Sequence, residues 1–560
     1  MKPMSKSGFK MLVVDQESLL DPIKKKRARR GESNVMRESH AVLGSFFCSY
    51  RSSIFPAKPS TGVQVPIDNA SRALLPKALS PGLAVEFAAE PQALEFFFLK
   101  TAPQLAGFFG EAFFQGSVLQ LSLTEPAIRQ AIGAIGFLHE RAATGKLSKS
   151  RDTSFSNSNL HLQLYNRSIH SVLKASSDPD KLSFVATASV LFACFEVFHG
   201  NRIAAETHIK SGISLLNSWR DKTKRVKSPW GRRYPSSESR FMETQVAPLL
   251  SLFNLSIMKP CNGGRVQFML NPVSNGILHL AKKFEGLEET RNAFLDMLAA
   301  ATANPEIKCE NKSAADIEVF LLSDTGQGAM EKWNRSVDDL VYRNSHSWGK
   351  KEQRSANALH LIKLSAQLSM IAYQAQTECH WDKSYEDYKE LIRLCEAIVL
   401  DHEKSGDDFS RTMNIDCGLI FALHAGAWKC RWPKLRQRGL DLLLRIPKRE
   451  WFFESKHYHQ IFARIKEKEE EHLSLPLKWE TDETCLPPEH VRIHNFTVEA
   501  QSNTLNGCPV YAVSFWSKPH GLDGPWNCST ETMCLESTQA VEADIPFNLF
   551  GPNVSMAPQH

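Results

Sequence analysis

The chain has 560 residues, 42% of them hydrophobic and 23% charged, with a formal net charge of +6; this is ordinary globular material, and helical arrays of such length fold as one unit. The charge is local: residues 1–30 hold nine basic and three acidic side chains, so 67 less nine and 61 less three leave 58 of each sign elsewhere. An extensive nucleic-acid surface needs clustered cations to displace phosphate counterions, and the balanced charge after residue 30 gives no sign of one.

Residues 1–90 read as a mostly disordered region that is basic and rich in Pro and Ser. It holds the run Lys24, Lys25, Lys26, Arg27, Arg29 and Arg30, then a stretch dotted by Pro56, Pro59, Pro66, Pro76 and Pro81, where helical periodicity cannot settle. Six cations within seven residues suit the acidic groove of a nuclear import receptor, or loose contact with phosphates, with a solvated tail as the plain alternative; import is the reading favoured. Order begins near Pro91 with a short helix over 92–98. The next helix is expected to take Thr124 as N-cap, with Glu125 and Pro126 in its first turn, and Ile128, Ile132, Ile135 and Leu138 mark its buried face. A further helix spans 159–175. Residues 182–198 are apolar nearly all round and so form a central helix buried on several sides. Gly200-Asn201 turns the chain into a helix over 203–219. Helix, short turn, helix: the pattern predicts stacked antiparallel hairpins. The residues 220–240 form a basic, Pro- and Ser-containing insertion, read as solvated in preference to a nucleic-acid contact. Helical patterns resume at 246–256, 281–301, 356–376, 384–402, 435–444 and 454–472, and the charge run 466–471 reads as a solvated helix face. After Pro476 the runs 491–498 and 510–515 are β-rich and flank Asn506-Gly507, a strong hairpin signal. The fold class is therefore all-α, a helical array over 91–475, with a small C-terminal β-hairpin appendage in 476–560 and a loose tail from Thr530.

No catalytic constellation emerges along the chain. His139-Glu140 lies on a helix, but position 143 is Ala where a zinc-protease helix needs a second His. Gly145-Lys146 lacks the upstream glycine of a phosphate loop, and no Gly-x-Ser-x-Gly elbow occurs. The twelve cysteines include no Cys-x-x-Cys pair. Cys379-His380, and Cys528 and Cys534 with His520, lack the paired spacing of tetrahedral metal ligands; reduced thiols of an intracellular protein are the plain reading. The longest uncharged apolar stretch, 182–195, is shorter than the roughly 20 residues a bilayer requires, and the apolar residues 11–14 are cut off by Asp15, so neither a membrane span nor a signal core is expected. The chain is expected to be neither an enzyme nor a holder of cofactors.

Several separated stretches resemble the regulatory middle region of fungal binuclear zinc-cluster transcription factors. They are Ala93-Leu-Glu-Phe-Phe-Phe98 with Thr101-Ala-Pro103 and Leu105; Leu119-Gln-Leu-Ser122, Glu125-Pro126-Ala127 and Leu138-His-Glu140; then Tyr165-Asn166, Leu191-Phe192, Cys194-Phe195-Glu196, Gly200-Asn201, His208, Ser211-Gly212 and Trp219-Arg220. Cys430-Arg431, Leu435-Arg436, Leu442-Leu443, Pro447 and Arg449-Glu450 are similar to the family's C-terminal signature. The resemblance covers about 90–475 and implies an all-helical regulatory domain, nuclear localisation and control of transcription, often of metabolic gene clusters such as those of secondary metabolism. The family's six N-terminal cysteines are missing: only Cys48 precedes residue 190. Zinc is expected only if such a cluster lies upstream of Met1, because a zinc module does not fold without its metal.

The sequence thus predicts a nuclear regulator that touches DNA only indirectly. Its expected partners are the transcription machinery or a zinc-cluster protein, and a nuclear import receptor, with no membrane. A helical scaffold outside transcription and an enzyme with an unrecognised site are the alternatives. Glu196 and His208, polar groups near buried faces, are read as a satisfied core pair or as part of an effector pocket.

Overall fold

Helix dominates the computed structural model, which describes residues 90–144, 159–176, 178, 181–223, 236–257, 283–303, 323–374, 377–404, 413–414, 418–447, 449–451, 453–471, 486–505, 508–521 and 524–535. In chain order the helices are α1 (Glu90–Phe96), α2 (Ala102–Ala106), α3 (Val118–Thr124), α4 (Pro126–Ala143), α5 (Leu160–Ala175), α6 (Leu182–His199), α7 (Arg202–Thr223), α8 (Ser237–Phe241), α9 (Ala247–Ile257), α10 (Leu287–Ala303), α11 (Asp324–Asn344), α12 (Lys350–Gln374), α13 (Tyr385–Lys404), α14 (Leu419–His424), α15 (Pro433–Leu443) and α16 (Ser455–Glu470). Three apolar clusters organise them. An N-terminal core gathers α1 to α9, a middle core joins Phe109 to α10, α11 and the start of α12, and a C-terminal core holds the rest of α12, α13 to α16 and a sheet.

The N-terminal core is built round α6, as its uniform hydropathy requires. Sixteen of its eighteen residues are buried. By length and composition α6 would suffice to cross a membrane; here α4 and α7 pack against it and account for its apolar surface. Gly200 ends it with a left-handed φ of 85°. Gly200 N donates to Val197 O and Asn201 N to Glu196 O, the double closure that satisfies two terminal carbonyls. Asn201 Oδ1 then accepts from Ala204 N at 3.1 Å and so starts α7. Thr124 does not cap α4. It ends α3, and the extended residue is Glu125, with Pro126 at the first helical position.

Helix α11 and the short α2, α3 and α14 lie where the sequence pattern announces no helix. In α11 two early glycines, Gly326 and Gly328, mask the period, while Ser323 Oγ accepts from Gly326 N at 3.1 Å and caps the start. Its Trp333 is fully buried and donates from Nε1 to Thr290 O at 2.9 Å, which docks α11 on α10.

The C-terminal strands form a three-stranded antiparallel sheet rather than a hairpin: β4 (Ile493–Leu505), β5 (Cys508–Ser517) and β6 (Asn527–Cys534), in that order. Leu505 pairs with Cys508, while Asn506 and Gly507 lie outside the described residues. Phe496 faces Phe515 and Val498 faces Val513 across the β4–β5 pair. With Ile493 and Tyr511 these side chains enter the C-terminal core, so the sheet is one wall of that core and not an appendage. Thr530, read from sequence as the start of a loose tail, sits inside β6. That strand is mostly exposed or half-exposed and so carries no apolar alternation to betray it.

A second, minute sheet links the two large cores. Strand β1 (Met413–Asn414) runs parallel to β2 (Arg449–Glu450), which pairs antiparallel with β3 (Phe453–Glu454). Between β2 and β3, Trp451 is fully buried in the N-terminal core, 4.4 Å from the Phe253 ring of α9. Its φ of 56° is left-handed, a conformation that costs a bulky residue on the order of 1–3 kcal/mol and persists only where its surroundings impose it. Arg449 donates to Val197 O at 3.2 Å, at the end of α6. Glu450 accepts from Leu419 N and Ile420 N at 3.1 and 2.8 Å and caps α14. One short strap therefore grips both cores.

Candidate functional site

The basic run Lys24, Lys25, Lys26, Arg27, Arg29 and Arg30 lies outside the described residues, as does the rest of 1–89. Glu196 and His208 are both described. They do not touch each other; Tyr165 of α5 stands between them. Its hydroxyl donates to Glu196 Oε1 at 2.6 Å and lies 2.8 Å from His208 Nε2. The Tyr165 ring stacks on Phe195 at 3.9 Å. Burial pushes the Glu196 carboxyl up to about 7 and pulls the His208 imidazole down to about 4. Both groups thus favour their neutral forms, as a cluster walled by aromatic rings demands. A neutral His208 with its proton on Nε2 donates to Tyr165 Oη, which donates onward to Glu196. Tyr165 was one of the resemblance residues, but its part as the bridge is invisible in sequence because its partners lie 31 and 43 positions away.

His139, weighed above against a zinc-protease helix, is buried, with Nδ1 2.9 Å from Thr101 Oγ1. Glu140 accepts from Gln92 at 2.6 Å. These two contacts fasten α1 and its continuation to α4. Among the described residues no three His, Cys, Asp or Glu side chains converge as metal ligands do.

The C-terminal core contains an ionic network that the sequence did not announce. Lys429 is fully buried at the end of the π-helical turn after α14, and its Nζ donates to Glu378 Oε1 at 2.8 Å and to His494 O at 3.2 Å. Arg431 pairs with Glu378 at 2.8 Å and with Glu469 at 3.0 Å, while Arg436 reaches Glu469 at 2.8 Å. Glu469 also accepts from Ile493 N at 2.8 Å. Arg492 holds Asp382 through two bonds of 2.8 and 2.7 Å. Burial pulls the Lys429 ammonium down to about 8 against the opposing pull of Glu378. For Glu469, burial would raise the carboxyl, but Arg431 and Arg436 outweigh it and hold the group at about 2. Residue 469 was read as part of a solvated run; it is 1% exposed. Likewise Arg220, assigned to a solvated loop, is buried and bound to Glu243 at 2.6 Å, while residues 224–235 lie outside the described residues. The signal available in sequence was Lys429 and Arg431 set inside an apolar run between Trp428 and Trp432.

A cleft of about 640 Å³ opens where the chain after α2, the turn before α10 and the α11–α12 junction meet. Its walls include the rings of Phe109 and Trp348, and its polar rim is formed mainly by Glu111, Glu285, Glu288 and Glu352, with Lys351 as the one cation among the lining residues. Ser355 Oγ donates to Phe108 O at 2.8 Å and Arg343 to Phe284 O at 2.8 Å, which fixes two of the walls. Two cations of the chain already use this chemistry. Lys351 is ion-paired with Glu111, and the Arg291 guanidinium lies 5.0 Å over the Phe109 ring. Burial raises the Glu288 carboxyl, with Arg291 opposing. Carboxylates around aromatic faces favour an ammonium or guanidinium guest.

No family model, curated protein or solved structure matches this chain. The geometry therefore stands by itself. Among the described residues it offers a shielded polar cluster, a buried ionic tie and an open acidic cleft; the first two are largely buried, with His208 and Asp382 half-buried at their edges.

Proposed function

We propose that the chain is a nuclear regulator of transcription, built like the middle region of fungal zinc-cluster factors, which acts through protein or effector contacts and meets DNA only through a partner. In this reading the helices are stacked antiparallel hairpins, as in the pairs α4–α5 and α6–α7. The observation that carries the proposal is the placement of charge: six cations within residues 24–30 precede a body whose remaining charges cancel. A run of that kind serves import or loose phosphate contact. The passages that resemble the family add support, because distant ones meet: Arg449 of the C-terminal signature donates to Val197, within the stretch from Leu191 to Gly200. The partners proposed are an import receptor, and either the transcription machinery or a zinc-cluster protein.

The test compares full-length fluorescent fusions of the intact chain and a chain lacking residues 24–30. The intact fusion should concentrate in the nucleus and the shortened one should spread through the cell. An unchanged distribution overturns the import reading. Tethering the full chain to a heterologous DNA-binding domain beside a reporter gene should change reporter output; a silent reporter argues against regulation.

A further inference from the structure

We propose that the acidic cleft between α10, α11 and the chain after α2 is a docking site for the chain's own basic run, Lys24 to Arg30, so that the same cations are held in the cleft or offered to another acidic partner, but not both. The inference rests on the basic run being the working element named under the proposed function, and adds a competitor for it within the same molecule.

Three observations carry it. The first is chemical complementarity. The lining brings four carboxyls and three aromatic side chains together with one ammonium, and the Arg291 guanidinium adds a second cation beside it, whereas the run offers six cations and no acid. The surface around Phe109 already seats a guanidinium, that of Arg291, and the rim already binds an ammonium, that of Lys351. Arriving cations would meet a rim whose Glu288 is partly desolvated, and a positive charge beside it would draw its raised carboxyl back toward ionisation. The second is reach. Arg30 lies sixty residues before Glu90, a contour of roughly 200 Å at about 3.4 Å per residue. From Glu90 to Phe108 the chain is nearly all helical, about 25 Å of rise, so the cleft lies well inside that radius. The third is economy of affinity. Run and cleft belong to one chain, so docking is intramolecular and independent of protein concentration; solvent-screened ion pairs, weak in free solution, then hold the docked state and still release it to a stronger acidic groove.

The experiment uses the purified full-length protein and a zero-length carbodiimide, which joins a lysine amine to a carboxyl without a spacer. At low salt, mass spectrometry should find Lys24, Lys25 or Lys26 joined to Glu285, Glu288, Glu352 or Glu111 within one chain. The links should fall at least fivefold at 0.5 M salt, where screening is short-ranged, and the links to the unchanged Glu111 and Glu288 should fall by a similar factor in the double variant Glu285→Gln/Glu352→Gln, both exposed residues whose glutamines cannot couple. Trypsin should cut within residues 24–30 several-fold faster in that variant than in the parent. The salt arm needs no substitution, so it decides the matter even if a variant folds poorly. Links spread evenly over surface acids, links only between isotopically distinct copies, or no change in cleavage would each overturn the proposal. Failure of import and failure of docking are separable: specific cross-links in a protein that never enters the nucleus leave docking intact and sink the import reading.

Discussion

Replacing Glu196 by Gln keeps the side chain's shape and its ability to accept from Tyr165 Oη, and removes only the ionisable group. In the folded protein burial lifts this carboxyl from 4.5 to about 7. A folded value above the unfolded one means that the protonated form is the one the fold accepts. Its contribution is complete below pH 4.5 and is lost as the pH climbs to about 7. That rise corresponds to about 3 kcal/mol, at about 1.4 kcal/mol for each tenfold change in proton affinity. Glu196→Gln should therefore match the parent within about 0.5 kcal/mol at pH 4.5, exceed it by about 2 kcal/mol at pH 6, and by about 3 kcal/mol at pH 8. Urea melts of both proteins at the three pH values, followed by tryptophan fluorescence, give the difference directly and cancel every other titrating group. A difference that does not vary with pH, or a variant weaker than the parent at pH 8, would refute the assignment of Glu196 as a strained carboxylate.

Glu469→Ala should cost about 3–5 kcal/mol, because it leaves Arg431 and Arg436 buried with part of their compensation gone. The parent should also lose stability as pH falls from 4.5 toward 2, since the Glu469 value is depressed; acid melts should show that slope weakened in the variant. Gly136→Ala would bring a Cβ to within 2.2 Å of Ala93 O, so α1 must move off α4 and the melting midpoint should drop, by about 1–3 kcal/mol of stability. Trp451→Ala empties the socket beside Phe253 and should cost about 3–5 kcal/mol, with amide exchange accelerating in α9 as well as around β2.

The fold was readable wherever one helix face is apolar and the ends are punctuated. The residues 182–198 announced α6 by being apolar all round, and Gly200-Asn201 announced its end by needing a left-handed φ. Reading failed where stability comes from partners far along the chain. Glu469 belongs to a stretch that looks like a solvated face, and its burial is explained by partners distant in sequence, Arg431, Arg436 and the Ile493 amide. Strand β6 failed for a different reason: it is stitched by backbone pairing to β5 while its side chains stay largely in solvent, so no alternation records it. The cleft was out of reach altogether, since its carboxylates come from three segments that only folding brings together. The bridge through Tyr165 lay halfway: its three residues were picked out separately, and the hydroxyl that joins them could not be.

The strap around Trp451 sets a schedule for biosynthesis. Helix α9 ends at Ile257, and the indole that completes its core arrives at position 451. At about 5–20 residues per second a ribosome takes on the order of 10–40 s to supply it. Throughout that interval the nascent N-terminal half carries an open socket at Phe253, and the helices of α1 to α9 wait for a plug made nearly two hundred codons later. Slow translation of the middle segment would lengthen the wait and favour chaperone engagement at that socket.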